Sequence, residues 1–347
     1  MFPLVFGNAI KGGSTNSAAF TKVSGEYSHD FVDYKDKVIT TPYIETMSGT
    51  ASGAELSMAD TDNVFSNISI VSGTGCRYIQ FKVKSIPTTG ANGVISVLDG
   101  SGTVMWSWHI WVWSDDLTPV EITNNTGVKY NILPVNLATK KSTTAGKMYN
   151  WFYQWGRFVP MLPPADYNST TNATNYGVKT FAVSPGKADT YGAGIQNPQM
   201  FYKNKYSPYN WFGTASYCNL WDANCVSTGN SDNNVIKTVY DPCPVGFKMP
   251  NGNTFTYFSN SKVVGSFNNG QYFKRNAYDT TGVFFPATGY RVHSDGSLSN
   301  VGSSGYVWLS SVADRIDAYH LRFLSGYVNT QRDNCRAYGS SVRPVQE

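Results

Sequence analysis

Short segments in which apolar and polar residues alternate dominate the first third of the chain. Between residues 22 and 115 these segments are FVDY, NISIV, CRYIQFKVK, GVISVLDGSG and TVMWSWHIWVWS. In the third segment, Ile79, Phe81 and Val83 alternate with more polar neighbours, and this period of two predicts a half-buried strand. The sequence DGSG at 99–102 predicts a hairpin turn between two strands. No segment of this region has a long helical period.

One of these strands breaks the alternation. The tryptophans of WSWHIWVW at 106–113 change parity in the middle of the run. Either a bulge lies near His109 or the strand is buried on both faces. We interpret the run as a core or interdomain strand rather than as an aromatic ligand cage. The spacing and length of all the strands predict an immunoglobulin-like β-sandwich over residues 21–118.

The remaining chain is expected to form a lead-in and a second domain. Residues 1–20 are rich in Gly, Ser and Asn, which predicts a flexible or extended segment. A linker-like stretch at 116–130 opens the second unit, which we place at 119–347. The clearest helix candidate of that unit is GKMYNWFYQWGR at 146–157.

Long loops rich in Asn, Thr, Gly and Tyr follow at 164–235. Loops of this length in a compact domain are usually functional or cross-linked. Cys218 and Cys243 flank one of them, which suggests a disulfide between the two. In the chain-entropy model, closing a loop of roughly 26 residues stabilises the fold by about 3 kcal/mol.

Charge and hydropathy argue against nucleic-acid binding and against a membrane-spanning segment. The net charge of +4 is modest, and the Lys and Arg residues form no cluster, so binding to DNA or RNA is not expected. No run of 18 apolar residues exists, so we expect no membrane-spanning segment. The start MFPLVFGNAIKGG lacks a basic region and a signal core. Either a signal has been lost, or the protein leaves the cell without one, as a virion component does.

The residue types that carry catalysis do not form known motifs. GxSxG, HExxH and Walker-type loops are all absent, which predicts a non-enzymatic protein without a cofactor. The five Cys form no CxxC pair and the four His are scattered, so no metal site is expected.

The last seventy residues follow a different composition rule. From Arg275 onward there is no Lys, no Met and no Glu before Glu347, and seven of the nine Arg lie there. Within 305–345, ordinary framework residues alternate with a varied set whose members can all be reached from an Asn codon by changing its first two bases. This variable set comprises Leu309, Arg315, Asp317, Tyr319, His320, Arg322, Leu324, Tyr327, Arg332, Asp333, Cys335 and Tyr338.

Strand geometry predicts where this set points. Leu321 and Phe323 lie on one face of a strand, and His320, Arg322 and Leu324 lie on the other. We expect the apolar pair to face a core and the variable set to face outward, where substitution costs little stability. Tyr and Arg dominate binding hot spots, so the outward set is our candidate ligand-binding face. The alternative to a ligand-binding face is an ordinary final hairpin whose sequence has changed by neutral drift.

Seven further segments follow one another along the chain as a recognisable set of motifs. They are WSWHIWV at 106–112, YNILPVNLAT at 130–139, YNWFYQWGR at 149–157, IKTVYDPCPVGFKMP at 236–250, FFPATGYR at 284–291, the turn Trp308-Leu-Ser-Ser311 and GSSVRPV at 339–345. These segments resemble the major paralogous, fimbrillin-associated domains of Bacteroidetes surface proteins. This resemblance implies a C-type-lectin-like fold, related in shape to formylglycine-generating enzymes, for residues 119–347. The fold class is therefore expected to be β-rich α+β, an Ig-like sandwich followed by a lectin-like domain.

The chain departs from these families in three ways. The usual Tyr-Trp-Ser-Ser step is interrupted by Val307 and Leu309. The late reactive Cys pair of the sulfatase-activating enzymes is missing, because Cys335 stands alone. The Glu-Pro-Asn or Gln-Pro-Asp triplets with which C-type lectins hold calcium are also missing from residues 250–347.

The tail is also similar to the variable region of proteins diversified by retroelements, in which adenines of Asn codons are randomised. Arg343 is expected to be structural, as a salt-bridged or carbonyl-bonded side chain. The framework residues of that family would be Ala318, Leu321, Phe323, Val328, Arg336, Gly339, Val342, Arg343 and Pro344.

Together these patterns predict a recognition protein for a protein or cell-surface ligand. It would act outside the cell, as a surface or pilus-tip adhesin or as a phage receptor-binding protein with pilus or virion assembly partners. The alternative is a structural pilus subunit whose lectin-like domain is a fixed cap.

Overall fold

Strands far outweigh helices in the computed structural model, which describes residues 1–207, 209–213, 217–229 and 232–347. The strand content is 36% and the helix content 5%, so the protein is β-rich and compatible with a β-sandwich class. Within the described residues, α-helices cover Ile44–Ser48 (α1) and Tyr191–Gln196 (α2), and 3-10 turns cover Ser17–Ala19 and Asn260–Lys262.

The strands are mostly short. The first thirteen are Phe2–Pro3 (β1), Ile10–Lys11 (β2), Ser14–Thr15 (β3), Gly53–Ala59 (β4), Phe65–Val71 (β5), Tyr78–Val83 (β6), Ala91–Leu98 (β7), Val104–Val112 (β8), Val120–Thr123 (β9), Lys129–Ile132 (β10), Thr139–Lys141 (β11), Met148–Asn150 (β12) and Tyr153–Gln154 (β13). The others are Ala182–Val183 (β14), Met200–Phe201 (β15), Phe247–Lys248 (β16), Val263–Val264 (β17), Gly270–Phe273 (β18), Val283–Pro286 (β19), Tyr290–Arg291 (β20), Leu298–Ser299 (β21), Ser304–Val312 (β22), Asp317–Leu324 (β23), Tyr327–Cys335 (β24), Gly339–Ser340 (β25) and Val345–Gln346 (β26).

Two three-stranded antiparallel sheets make up most of the first third. One has the order β4-β7-β8 and the other β1-β6-β5. An apolar cluster with members from both sheets, including Ala59, Phe65 and Val112, joins them. The expected strand over β6 and the expected turn between β7 and β8 are confirmed. The immunoglobulin-like type of the sandwich stays a prediction.

The tryptophan strand β8 contains its bulge at a different place from the one expected. Pairing with β7 is regular through His109, which lies opposite Val94. The register shifts where Val97 pairs with Trp106 and Leu98 pairs with Val104, so Met105 is the extra residue. The first half of β8 is buried on both faces because it packs inside the main core.

The expected flexibility of residues 1–20 is wrong. Phe2 pairs with Ile79, so the first strand completes a sheet. Leu4 and Phe6 are 1% and 0% exposed, and the Phe6 ring lies 5.0 Å from that of Trp106. Apolar side chains therefore hold a segment whose Gly and Ser content suggested mobility.

The main hydrophobic core extends on both sides of the boundary expected at 118/119. Trp106 stacks on Phe158 with ring centroids 4.2 Å apart, and Tyr240 stacks on Tyr191 at 3.9 Å. All four rings belong to one cluster of buried side chains. The two expected domains therefore share apolar packing, and their separation as folding units stays a prediction.

The expected helix at 146–157 is also wrong, because this segment forms β12 and β13. Every residue from Tyr149 to Pro160 is buried, so the segment has no polar face to present to water. Gly156 adopts φ +83°, a left-handed conformation that no α-helix contains. Helix α2 forms later in the chain, where the Thr190 hydroxyl accepts a hydrogen bond from the Ala193 N–H at 3.2 Å.

Candidate functional site

The varied tail folds into one antiparallel sheet with the order β22-β23-β24. In this register Tyr306 lies opposite Arg322, and His320 lies between Trp308 and Arg332. Directly paired residues project to the same face, so these five side chains share one side of the sheet. The segment Trp308–Ser311, expected to be a turn, is part of strand β22.

The opposite face of this sheet closes a second hydrophobic core. Leu321 and Phe323 are fully buried there, as the alternation predicted. Leu309 is also 0% exposed and belongs to the same cluster. The prediction that Leu309 faces a ligand is therefore wrong, because this residue of the buried strand β22 belongs to the second hydrophobic core.

Five members of the variable set converge on one surface cavity, which we call the hairpin pocket. Its volume is about 170 Å³. Members of the variable set that line it are His320, Arg322, Arg332, Asp333 and Tyr338. Its other lining residues are Tyr290, Asn300, Tyr306 and Asn334.

Aromatic packing fixes the walls of the hairpin pocket. The Tyr290 ring lies 4.7 Å from that of Tyr306 and 5.2 Å from that of Tyr338. Tyr338 also packs on His293 at 4.6 Å. The Asn300 side-chain amide donates to the Tyr306 hydroxyl at 3.1 Å. These contacts hold three tyrosines in place, which suits a preformed site.

Two arginines carry the positive charge of the hairpin pocket. The Arg322 guanidinium lies 5.6 Å from the ring centroids of both Tyr306 and Tyr327. In the described part of the chain it forms no ion pair, and its buried Nε has no hydrogen-bond partner. Arg332 lies 3.6 Å from the carboxylate of Asp333, and both side chains are half exposed.

His320 forms the buried part of the hairpin pocket. It is 1% exposed, and neither ring nitrogen has a hydrogen-bond partner among the described residues. Its ring packs edge-on against Trp308 at 5.6 Å. Burial lowers the pKa of His320 to about 3, and the charges of Arg322 and Arg332 act in the same direction. The imidazole is therefore neutral at pH 7. The expectation that this residue points into solvent is wrong.

The other variable positions lie outside the hairpin pocket. Asp317 and Cys335 pair across the opposite face, together with Tyr319. Burial, followed by the nearby Asp317 carboxyl, raises the pKa of the Cys335 thiol to about 12. Leu324 and Tyr327 lie at the hairpin tip, and Tyr327 is 37% exposed.

Arg315 occupies the turn between β22 and β23. It contacts a carboxylate oxygen of Glu26 at 3.3 Å and the Tyr27 hydroxyl at 3.1 Å. The variable set is thus not one continuous surface. It divides into the pocket, the hairpin tip, the opposite face, this turn and the core position Leu309.

The expected disulfide between Cys218 and Cys243 is not formed, and all five cysteines of the described chain are free thiols. The Cys218 thiol donates instead to the Cys225 carbonyl at 2.8 Å, and the two thiols interact. Cys243 belongs to a separate turn, in which its N–H donates to the Asp241 carboxylate at 2.7 Å. Cys218 and Cys243 are therefore held by contacts within two different turns.

The structural role expected for Arg343 is confirmed. This side chain is fully buried, and it donates to the Leu133 carbonyl at 3.0 Å and the Phe284 carbonyl at 2.9 Å. Its Nε donates to the Asn136 side chain at 2.8 Å, and the guanidinium lies 4.0 Å from the Phe285 ring centroid. Arg343 therefore ties the end of the chain to the scaffold that carries the hairpin pocket.

Sequence reasoning missed four of the residues that line the hairpin pocket. Tyr306 could have been found by pairing the strands, because it lies directly opposite Arg322. Asn334 is encoded by the type of codon from which the variable set can be reached, so the codon argument could have included it. Tyr290 and Asn300 lie before residue 305, and no pattern in the sequence connects them to the tail.

Among the described residues, no group of three or more His, Cys, Asp and Glu could hold a metal ion. In the same part of the chain, no helix is both long and apolar enough to cross a membrane. No family model, curated protein or solved structure matches this chain.

Proposed function

We propose that this chain is a non-enzymatic recognition protein that binds a protein or cell-surface ligand through the hairpin pocket. The observation that carries the proposal is the convergence of five variable-set residues, separated by up to 18 positions in sequence, on one cavity. Neutral sequence drift in an ordinary hairpin would not require the substituted positions to meet in one cavity. In this proposal the protein acts outside the cell, on a surface, a pilus tip or a virion.

The types of side chain support binding rather than a plain solvent-facing surface. Tyr and Arg supply large contact area or forked donors, and they dominate binding hot spots. Tyr338 and Tyr306 are held by aromatic neighbours, and Arg322 lies over a ring, so little conformational entropy is lost when a ligand binds. The lectin-like fold of residues 119–347 and the retroelement origin of the variable set belong to the same proposal.

Deep sequencing of the encoding locus across a population of cells tests the proposal. We expect variation confined to codons of the variable set, and a near-copy of segment 305–345 that carries AAC or AAT at those codons. Codons that are invariant in the population, with no second copy of the segment, would remove the diversification from the proposal.

A binding measurement tests the recognition surface itself. Whole cells or surface extracts that bind the protein should lose binding to Tyr338→Ala, which alters the hairpin pocket. The control is Tyr278→Ala, because Tyr278 is 94% exposed and does not line the hairpin pocket. Equal binding by both variants would contradict the proposed site.

A further inference from the structure

The hairpin pocket contains polar groups that the protein itself leaves without partners. Both ring nitrogens of His320 and the Nε of Arg322 are buried, and none has a hydrogen-bond partner in the described part of the chain. Native proteins rarely leave buried polar atoms unpaired, so such atoms point to a missing ligand group. Both residues line the same cavity.

The charges that face this cavity do not balance. Arg322 and Arg332 are both cationic, His320 is neutral, and Asp333 is the one acidic residue among the nine that line the cavity. Asp333 already lies 3.6 Å from Arg332. Arg322 is therefore the uncompensated charge, and a guanidinium fork matches a carboxylate in a planar, bidentate geometry.

The uncharged groups of the pocket specify a second chemical feature. A neutral imidazole offers one donor and one acceptor, and a hydroxyl group can satisfy either of them. Tyr and Asn supply the remaining walls, and none of the nine lining residues is aliphatic. A cavity of about 170 Å³ has room for one small hydroxylated unit. A purely apolar anchor of a protein ligand would find no matching surface here.

We infer that the hairpin pocket binds a carboxylate-bearing sugar unit, with Arg322 holding the carboxylate and His320 pairing with a hydroxyl group. This inference rests on the proposed function, because it names the ligand class of the same site. It favours a carboxylated glycan over an acidic peptide, since the walls contain hydroxyl, amide and imidazole groups rather than aliphatic ones.

Calorimetric titration with D-glucuronate and with its neutral isostere D-glucuronamide tests the inference on the wild-type chain. We expect glucuronate to bind at least tenfold more tightly. An aspartate-rich peptide and inorganic phosphate are titrated in parallel. Equal affinity for acid and amide, or tighter binding of the peptide or of phosphate, would overturn the inference without any need for a variant.

A matched pair of variants tests whether Arg322 binds the carboxylate of the ligand. Arg322→Gln should weaken glucuronate binding at least tenfold. Arg315→Gln removes the same charge from an exposed turn outside the pocket and should change the affinity less than twofold. Equal losses in both variants would mean that general charge attraction, not the pocket, holds the acid, and the inference would then be wrong.

The two proposals can fail separately. Codon-confined variation together with no preference for glucuronate would reject the carboxylated sugar and leave the recognition function standing. Invariant codons together with specific glucuronate binding would reject diversification and leave a fixed sugar-binding site.

Discussion

Truncating two leucines of the variable set should have very different consequences. Leu309 is 0% exposed and packs in the second hydrophobic core, whereas Leu324 is partly exposed at the hairpin tip. Replacing a buried Leu by Ala removes its apolar contacts and leaves a cavity, at a cost of about 2–5 kcal/mol. For Leu324→Ala we expect a loss of about 1 kcal/mol or less, because water can fill the vacated space.

Urea denaturation followed by both tryptophan fluorescence and circular dichroism measures this difference. With a urea dependence of about 3 kcal/mol per molar, a loss of 3 kcal/mol lowers the midpoint by about 1 M. Coincident curves from the two probes are needed before the slope is converted to a free energy. Leu309→Met is the volume-conserving control and should cost less than about 1.5 kcal/mol. Equal midpoints for Leu309→Ala and Leu324→Ala would refute the burial of Leu309.

Buried polar groups and free thiols determine the expected outcome of three other experiments. Arg343→Met should lower the free energy of unfolding by about 3–5 kcal/mol, because three buried acceptors lose their donor; a change below about 1 kcal/mol in urea titration would contradict this. Treatment with oxidised glutathione should link Cys218 to Cys225, and recovery of a Cys218–Cys243 peptide by mass spectrometry would contradict the free-thiol arrangement. Burial raises the pKa of Asp222 to about 6, so the folded state takes up a proton more readily than the unfolded state and stability falls as pH rises from about 4 to 6. Asp222→Asn should remove this loss, which is about 3 kcal/mol, and an unchanged pH profile of the unfolding free energy would argue against it.

Local patterns predicted those elements whose partners are close in sequence. The hairpin at 99–102 depends on Asp99, whose carboxylate accepts from the Ser101 and Thr103 N–H groups at 2.9 and 3.0 Å. These contacts lie within residues 99–103, so DGSG and the Thr that follows it contain nearly all the information needed. The period of two in β6 is equally local.

Two errors in the fold have a common cause in long-range packing. Phe6 lies in a Gly- and Ser-rich segment, and its partner Trp106 lies 100 positions later. A helix over the aromatic run Trp151–Trp155 would need one face in contact with water. In the structure the core buries every residue of this run. Neither environment can be inferred from a window of neighbouring residues.

The candidate site was predicted only in part, because long-range packing also decides which residues line it. The codon argument selected twelve positions as candidates for variation, and five of them line the hairpin pocket. It could not separate Leu309 from Leu324, because a codon does not report burial. It also could not reach Tyr290, which comes to the pocket from β20 through aromatic contacts with Tyr306 and Tyr338.

The order β22-β23-β24 explains which variable positions can bind a ligand. Strand β22 is buried throughout, since Trp308 belongs to the main core and Leu309 to the second one. Strand β23 alternates between buried and partly exposed positions except at His320 and Leu321, which are both buried. Strand β24 is the edge strand, where Arg332 and Asp333 are exposed. Charged side chains on an edge strand also discourage pairing with other chains. Substitutions should therefore become less costly from β22 to β24, and the proposed diversification would change the rim of the pocket while the tyrosine wall from β20 and β22 stayed fixed.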